Sequence, residues 1–298
     1  MDNREKMMEV FKDTQKWCKD NVALMYSIHE SIRGTKIYRE GCSFAVNGRA
    51  DGTANEKTNG KADEKTVGKT EITVTKSRTF EAAIRLKKEN PDARTAVHNF
   101  ASATNPGGGV ERGSTAQEEC LCRCSTLYPV LKTGELQREF YQFHRRQGDV
   151  RYTDTCIYTP DIQIIKTDTN MPQRMKESDW CMVDVITCAA PNLRAKPYNS
   201  MNPGQGQAIK VTDKELLEIH RKRARQILNV AAENGVDILV LGAFGCGAFQ
   251  NKPEVVVRAY REVMKEFEGR FRKVEFAVYC GKRDERNYEV FEKGMRKE

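Results

Sequence analysis

Apolar residues along this chain follow two spacings that alternate over most of its length. Short apolar runs bounded by polar or glycine-rich segments are typical of strands, and they are separated by stretches in which apolar residues recur every three or four positions, as in helices. The strand candidates are EITVT (71–75), TAVHNFA (95–101), IYTPDIQIIK (157–166), MVDVITCAAP (182–191), VDILVL (236–241) and KVEFAVY (273–279). This alternation predicts an α/β fold in which helices flank a sheet.

Capping residues and prolines predict where several helices begin or end. Ser77 is expected to cap the helix after the first of these strands. The segment TDKE at 212–215 fits a capping box, and its helix is expected to run to Gly235. Pro253 suits the first turn of a later helix. A helix beginning in LCRCSTLYPVL is expected to end or kink at Pro129.

The first 70 residues differ from the rest of the chain. Residues 1 to about 40 show a helical pattern with an apolar thread that includes Phe11 and Trp17. The stretch from 47 to 70 is rich in Gly, Asn, Lys and Thr, as exposed loops are. We therefore predict an N-terminal helical extension with a polar loop (1–70) and a main domain (71–298). Because apolar side chains favour burial, the extension is expected to pack on the sheet.

Composition and charge narrow the class of protein. No apolar run approaches the roughly 18 residues of a membrane span, and the polar start MDNREKMMEVFKD lacks a secretory signal, so we expect a cytoplasmic protein. The net charge of +8 suits an anionic ligand. The basic residues are dispersed, so direct nucleic-acid binding is not indicated.

Ten cysteines in such a chain are expected to be reduced thiols. Three of them alternate in CLCRC, where a helix would place only Cys120 and Cys124 on one face. No CxxC pair occurs, and the four histidines are scattered. Buried thiols are therefore favoured over a zinc site, and no metal is expected.

Two glycine-rich loops follow predicted strands and precede predicted helices: NPGGG (105–109) and GAFGCGAF (242–249). Glycine lets backbone N–H groups approach a phosphate, and both loops fall at the strand ends where α/β sheets bind ligands. Two such loops could hold a diphosphate from both sides, although neither fits the Walker or Rossmann pattern.

Glu118 and Glu119 lie between the first glycine loop and the helix predicted to begin in LCRCSTLYPVL. Adjacent residues diverge by about 100° in a helix, so one acid could bind a ribose hydroxyl while the other faces a reacting bond. Alternatively, both acids could serve only to stabilise the helix N-terminus.

The segment GGGVERGSTAQEE, which consists of three glycines, seven residues and then QEE, resembles the signature of poly(ADP-ribose) glycohydrolases. The segments NFASATNPGGG, AAPN (189–192) and LGAFGCGAFQNKP are similar to the shorter, microbial-type branch of that family. The resemblance spans roughly residues 70–290. It implies a macrodomain-like catalytic domain, with a mixed sheet sandwiched between helices and ADP-ribose bound at the strand ends.

The resemblance also implies roles for individual residues. Glu119 matches the catalytic acid, and Glu118 matches the acid that holds the ribose hydroxyls. Phe249 is similar in placement to an aromatic that packs against the terminal ribose. The other binding candidates belong to the two loops or orient the acids: Asn105, Gly107, Gly108, Gly109, Gln117, Gly245, Cys246, Gly247 and Ala248. Phe276 and Tyr279 are candidates for the adenine pocket, although core packing is the expected use of both.

The implied activity is hydrolysis of the ribose–ribose O-glycosidic bonds of poly(ADP-ribose), which releases ADP-ribose and needs no cofactor. The expected partners are poly(ADP-ribose) or ADP-ribosylated proteins, and no membrane. Two alternatives remain: a hydrolase of single ADP-ribose marks, and a module that binds ADP-ribose without cleaving it. The paired acids argue against the second alternative, because a binding module needs no acid at the scissile bond.

Overall fold

The computed structural model describes residues 2–44, 68–198, 207–281 and 285–296. Most of the polar stretch at 47–70 therefore lies outside the described residues. The helices are α1 (Asn3–Asp20), α2 (Val22–Gly34), α3 (Thr79–Glu89), α4 (Gln117–Cys124), α5 (Leu127–Leu131), α6 (Gly134–Leu136), α7 (Phe143–Gln147), α8 (Asp213–Glu233), α9 (Pro253–Met264) and α10 (Arg286–Met295). The strands are β1 (Lys36–Tyr38), β2 (Glu71–Thr75), β3 (Thr95–Phe100), β4 (Cys156–Ile164), β5 (Cys181–Cys188), β6 (Ile238–Leu241) and β7 (Lys273–Ala277).

The strands form one sheet of seven in the order β1-β4-β5-β3-β6-β7-β2. The pairs from β5 through β2 are parallel, whereas β1 and β4 add an antiparallel edge. The predicted mixed α/β fold is confirmed. Because β3, β6 and β7 run parallel, their carboxyl ends meet at one edge of the sheet, where ligands of such folds bind.

Two apolar layers cover the two faces of the sheet. One layer joins inward-facing strand residues such as Val97 and Val185 to α1, α3, α4 and α5. The other joins alternate strand residues such as Ala96 and Ile186 to α8, α9 and α10. The alternation follows from the two-residue repeat of a strand, which sends successive side chains to opposite faces.

The N-terminal residues are part of this packing. Met7 and Phe11 of α1 are buried, and the Phe11 ring meets Tyr128 edge-on at 4.8 Å between centroids. Strand β1 continues the sheet beside β4. Among the described residues, no helix is long and apolar enough to cross a membrane.

Two local expectations are wrong. Ser77 does not cap α3: Arg78 is the N-cap residue, and its backbone N–H donates to Glu81 at 3.0 Å. Pro129 neither ends nor kinks a helix, because it is the third residue of α5, in the first turn, where its missing N–H has no cost. The helical run is broken earlier, where Ser125 bridges to Ile164 and Thr126 N–H donates to the Gln163 carbonyl.

Candidate active site

A cleft of about 880 Å³ opens at the carboxyl ends of the central strands. Its walls come from the β3–α4 connection, the β6–α9 connection, the end of β7 and the first turns of α1 and α3. Both glycine-rich loops therefore border the same cavity, as their places after β3 and β6 predict.

The first glycine loop fits against the two acids at Gly108. This residue has a φ of +57°, and a Cβ there would lie 2.5 Å from Glu119 Oε1 and 3.2 Å from Glu118 Oε2. Only glycine fits both the backbone conformation and the space. The expectation that the two acids diverge is therefore incomplete: the long Glu side chains bring both carboxylates to one glycine.

Gln117 fixes the start of α4 against β3. Its side-chain oxygen accepts from Phe100 N–H at 2.9 Å, and its amide donates to the His98 carbonyl at 2.7 Å. The residue thus extends the hydrogen bonding of the strand to the helix. The two acids that follow are held at the strand end as a result.

Each acid is buried and has its own backbone donor. Glu118 is 3% exposed, and its Oε2 accepts from Ser102 N–H at 2.7 Å. Glu119 is 8% exposed, and its Oε1 accepts from Gly109 N–H at 2.8 Å. Glu119 Oε2 is buried and has no hydrogen-bond partner among the described residues. Because Glu119 lines the cleft, an oxygen that has no hydrogen-bond partner among the described residues lies within the cleft wall.

Burial raises the pKa of both carboxyl groups. For Glu118 the rise is large, because burial is reinforced by the charge of Glu119 and only partly offset by the Ser102 N–H. For Glu119 the rise caused by burial is opposed by the Gly109 N–H and by the nearby Arg123 cation. A carboxyl group with a raised pKa can donate a proton near neutral pH.

The second glycine loop is held by Asn251, which sequence patterns did not indicate. Its buried amide donates to the carbonyls of Pro191 at 2.7 Å and of Gly245 and Phe249 at 3.2 Å. His220 of α8 contacts the Asn251 amide oxygen at 2.8 Å. One side chain thus ties the loop to the β5 exit and to α8.

Most of the predicted site residues line the cleft: Gly108, Gly109, Gln117, Glu118, Glu119, Gly245, Gly247, Ala248 and Phe249. Three do not. The Asn105 amide donates to the Gly108 carbonyl, and so shapes the loop from behind. A Cβ on Gly107 would meet the Tyr128 ring at 2.7 Å. Cys246 packs against the core on the α8–α9 face, and burial raises its pKa.

The two adenine candidates differ in position. Phe276 is fully buried and packs against Tyr260 and Phe291, as expected for the core. Core packing is the wrong expectation for Tyr279, which is 48% exposed and lines the cleft. The Arg78 guanidinium lies over its ring, 3.8 Å from the centroid.

The CLCRC thiols lie on α4 directly after the acids. Cys122 and Cys124 are buried, whereas Cys120 is partly exposed and lines the cleft. Burial raises the pKa of all three thiols. Within the described ranges, no group of three or more His, Cys, Asp or Glu side chains could hold a metal ion.

Comparisons with known proteins agree on one family. Residues 5–167 match the family model of the microbial-type PARG catalytic domain, where PARG stands for poly(ADP-ribose) glycohydrolase. Among solved structures, the chain is similar to the poly(ADP-ribose) glycohydrolase (PARG) of Thermomonospora curvata, with 29% identity and a TM-score of 0.77 over 98% of this chain and 100% of that one. No curated protein matched the chain.

Two ligand complexes are also similar. The Thermomonospora curvata enzyme bound to the inhibitor ADP-HPD shares 29% identity, with a TM-score of 0.75 over 97% of this chain and 98% of that one. The PARG of Deinococcus radiodurans in complex with ADP-ribose shares 30% identity, with a TM-score of 0.68 over 90% of this chain and 96% of that one.

Proposed function

We propose roles for the cleft residues from one premise: the chain belongs to the family of microbial-type poly(ADP-ribose) glycohydrolases. It has the macrodomain-like fold of that family and is a glycoside hydrolase that acts on poly(ADP-ribose). The observation that carries the residue assignments is the pair of buried carboxylates at Gly108, one of which keeps an oxygen without a protein partner.

Glu119 is the proposed general acid. Its carboxyl group gives a proton to the oxygen of the departing ribose while the bond from that oxygen to the anomeric carbon breaks. An oxocarbenium-like cation forms on the retained sugar. The Glu119 carboxylate then takes a proton from a water molecule as that water attacks the anomeric carbon. The acid is restored and free ADP-ribose results.

Glu118 is proposed to hold the ribose hydroxyls beside the reacting carbon. Its Oε2 is already fixed by Ser102 N–H, so the carboxylate presents one orientation to the sugar. Gly108 and Gly109 allow the backbone to approach that ribose, and the loop at Gly245, Gly247 and Ala248 is proposed to hold the diphosphate. Phe249 would pack on the terminal ribose from the opposite wall.

Tyr279 is proposed as the surface on which the adenine stacks. It follows β7, which is separated from β3 by β6 alone. Two strand spacings place it about 10 Å along the sheet edge from the end of β3, which leads to the acids. An ADP-ribose unit lying along the strand ends would thus put its ribose at Glu119 and its base at the exposed ring.

Proteins that carry the polymer are proposed as partners as well. An enzyme that holds the terminal ADP-ribose unit leaves the rest of the chain outside the cleft, whatever it is attached to. We also propose a reducing compartment such as the cytoplasm, which suits ten free thiols.

The proposed chemistry is tested by Glu119→Gln, which keeps the size of the side chain and removes its proton. We expect the release of ADP-ribose from poly(ADP-ribose) to fall at least about 100-fold, since general acid catalysis contributes about 10²–10⁴. Affinity for ADP-ribose, measured by calorimetry, should change little.

Glu118→Gln is the matched variant one residue away. It should weaken ADP-ribose binding as well as turnover, because its proposed role is contact with the sugar. If Glu119→Gln retained most of the wild-type rate, the assignment of the acid would be wrong. If the wild type cleaved only single ADP-ribose marks, the polymer would not be its substrate.

A further inference from the structure

Arg123 is a charged side chain that the proposed mechanism does not use. It is 1% exposed, one of the two largest fully buried side chains among the described residues, and it lines the cleft. A buried guanidinium is costly unless opposite charge and hydrogen bonds compensate for the lost water. Its place beside the two acids therefore calls for an explanation.

The guanidinium is bonded to a carbonyl and a thiol. Nη1 donates to the Ser114 carbonyl at 2.5 Å, and Nη2 donates to Cys120 Sγ at 3.6 Å. Among the described residues, no ion pair joins Arg123 to a carboxylate. Arg223 of α8 differs: it is also 1% exposed, but its Nε lies 3.2 Å from Asp154. The charge of Arg123 is thus not neutralised by a direct ion pair, and it can influence nearby ionisable groups such as Glu119.

A ring of hydrogen bonds connects Arg123 to Glu119. Ser114, whose carbonyl accepts from the guanidinium, donates its own N–H to the Gly109 carbonyl at 3.1 Å. Gly109 N–H in turn donates to Glu119 Oε1 at 2.8 Å. Helix α4 closes the ring, because Glu119 and Arg123 are four residues apart and share one of its faces.

The helix is also fixed from outside the ring. The hydroxyl of Thr14 in α1 donates to the Arg123 backbone carbonyl at 2.6 Å. Both ends of the arginine are therefore held, its backbone by α1 and its guanidinium by the segment after the glycine loop. Such a side chain has one position relative to Glu119.

We infer that Arg123 is a positioning residue for the reaction at Glu119: through Ser114, its guanidinium holds Gly109 N–H on that carboxylate. This inference rests on the proposed role of Glu119 as the acid. It adds a residue that acts on the acid without touching the substrate.

The charge of Arg123 opposes the effect of burial on the pKa of Glu119. Burial raises the pKa of Glu119, and the Arg123 cation lowers it. The other ionisable groups around the pair are Glu118, Cys120 and Cys122 of α4, Arg78 before α3, and Asp168 and Lys166 after β4. Glu81 accepts from Arg78 N–H, and the exposed Glu111 accepts from the Tyr128 hydroxyl.

The sign of the expected effect follows from the order of the steps. Glu119 must be protonated to begin the reaction and must then release its proton to the leaving oxygen. Without Arg123, the carboxyl group would be a weaker acid. The activity would therefore persist to higher pH, while proton donation at neutral pH would be slower.

Poly(ADP-ribose) hydrolysis as a function of pH tests this inference in the full-length chain. For Arg123→Met, which keeps the length of the side chain and removes its charge, we expect kcat at pH 7 to fall about tenfold or more. The alkaline limb of kcat/KM should move upward by about half a pH unit or more. The Kd of ADP-ribose should stay within about threefold of the wild-type value.

Two further variants separate charge from packing. Arg123→Lys keeps the charge but cannot reach both acceptors, so its alkaline limb should stay at the wild-type pH while its rate falls. Arg223→Met removes a buried arginine outside the cleft, and it should not shift the alkaline limb of the kcat/KM profile. If Arg123→Met does not fold, the rate of Arg123→Lys tests the positioning role, and a rate at the wild-type level would overturn it.

The inference is overturned if Arg123→Met loses rate equally at every pH, or if Arg123→Lys moves the limb upward. Failure of the proposed function looks different: Glu119→Gln would then retain activity, or the wild type would release no ADP-ribose, whatever Arg123 does.

Discussion

Gly108 is the residue at which the glycine loop and the acids meet. Its positive φ is a cost that any L side chain would bear, whereas the contact with two carboxylates is particular to this position. Gly235 allows the two effects to be separated, because it also has a positive φ (+70°) but nothing lies within 4 Å of where its Cβ would be.

Gly108→Ala should therefore lose activity out of proportion to stability. The added methyl group would push Glu119 Oε1 away from Gly109 N–H, and we expect kcat/KM on poly(ADP-ribose) to fall at least about 100-fold, the effect of a small misplacement of a reacting group. Both Gly108→Ala and Gly235→Ala should lose about 1–2 kcal/mol of unfolding free energy in urea.

The control variant Gly235→Ala should keep its kcat/KM. Equal losses of activity in the two variants would show that backbone strain alone explains the effect, and that the fit of Gly108 against the carboxylates has no part in it.

Helix α1 is attached to the rest of the molecule by charge as well as by apolar contacts. Lys166, two residues after β4, is 2% exposed. Its ammonium lies 2.8 Å from Asp13 and donates to the Val10 carbonyl at 2.8 Å. Hydrogen bonding from Arg174 is the main reason that the pKa of Asp13 falls to about 2. Asp13 of α1 is thus the carboxylate that compensates the charge of the buried Lys166 ammonium.

Asp13→Ala should lower the unfolding free energy at pH 7 by about 1–3 kcal/mol, less than for a fully buried pair because Asp13 is 41% exposed. A depressed pKa stabilises the fold above the ordinary value of 3.8 and stops doing so as pH falls through about 2. The difference between variant and wild type in urea unfolding should therefore shrink between pH 4 and pH 2.

Asp20→Ala is the matched change on the same helix. It removes an exposed ion pair with Lys16, and no measurable change in stability is expected. If Asp13→Ala were as stable as Asp20→Ala, the Lys166 ammonium would have to be hydrated by water in the absence of Asp13.

The sequence predicts best those elements whose formation depends on residues close together in the chain. The capping box at Thr212, Pro253 at a helix start and the strand at 71–75 all depend on a few neighbouring residues, and the structure confirms them. The break between α4 and α5 was misplaced, because it arises from pairing with Gln163 and Ile164, far along the chain.

The same division holds within the site. Glycine loops and adjacent acids are local patterns, so they pointed to the cleft. Arg123 and Asn251 were not indicated, because an arginine on a helix and an asparagine in a loop are usually exposed. Only the fold brings Ser114 to the first and Pro191 to the second.

At the scale of the whole molecule, the contacts of α1 test whether the extension (1–70) and the main domain (71–298) are separate folding units. Met7 and Phe11 are buried, and burying each such side chain contributes about 1.5–3 kcal/mol. Together with the Asp13–Lys166 pair, this approaches the net stability of a typical domain, about 5–15 kcal/mol. We therefore expect α1 and the sheet to unfold together.

Two tryptophans make this testable. Trp17 of α1 and Trp180, beside β5, meet at 5.4 Å between ring centroids, so tryptophan fluorescence reports the attachment of α1. Far-ultraviolet circular dichroism reports the helices of the whole chain. In urea both signals should follow one transition with the same midpoint. An earlier fluorescence transition would show that the extension detaches first, and that a domain beginning near residue 71 is stable without it.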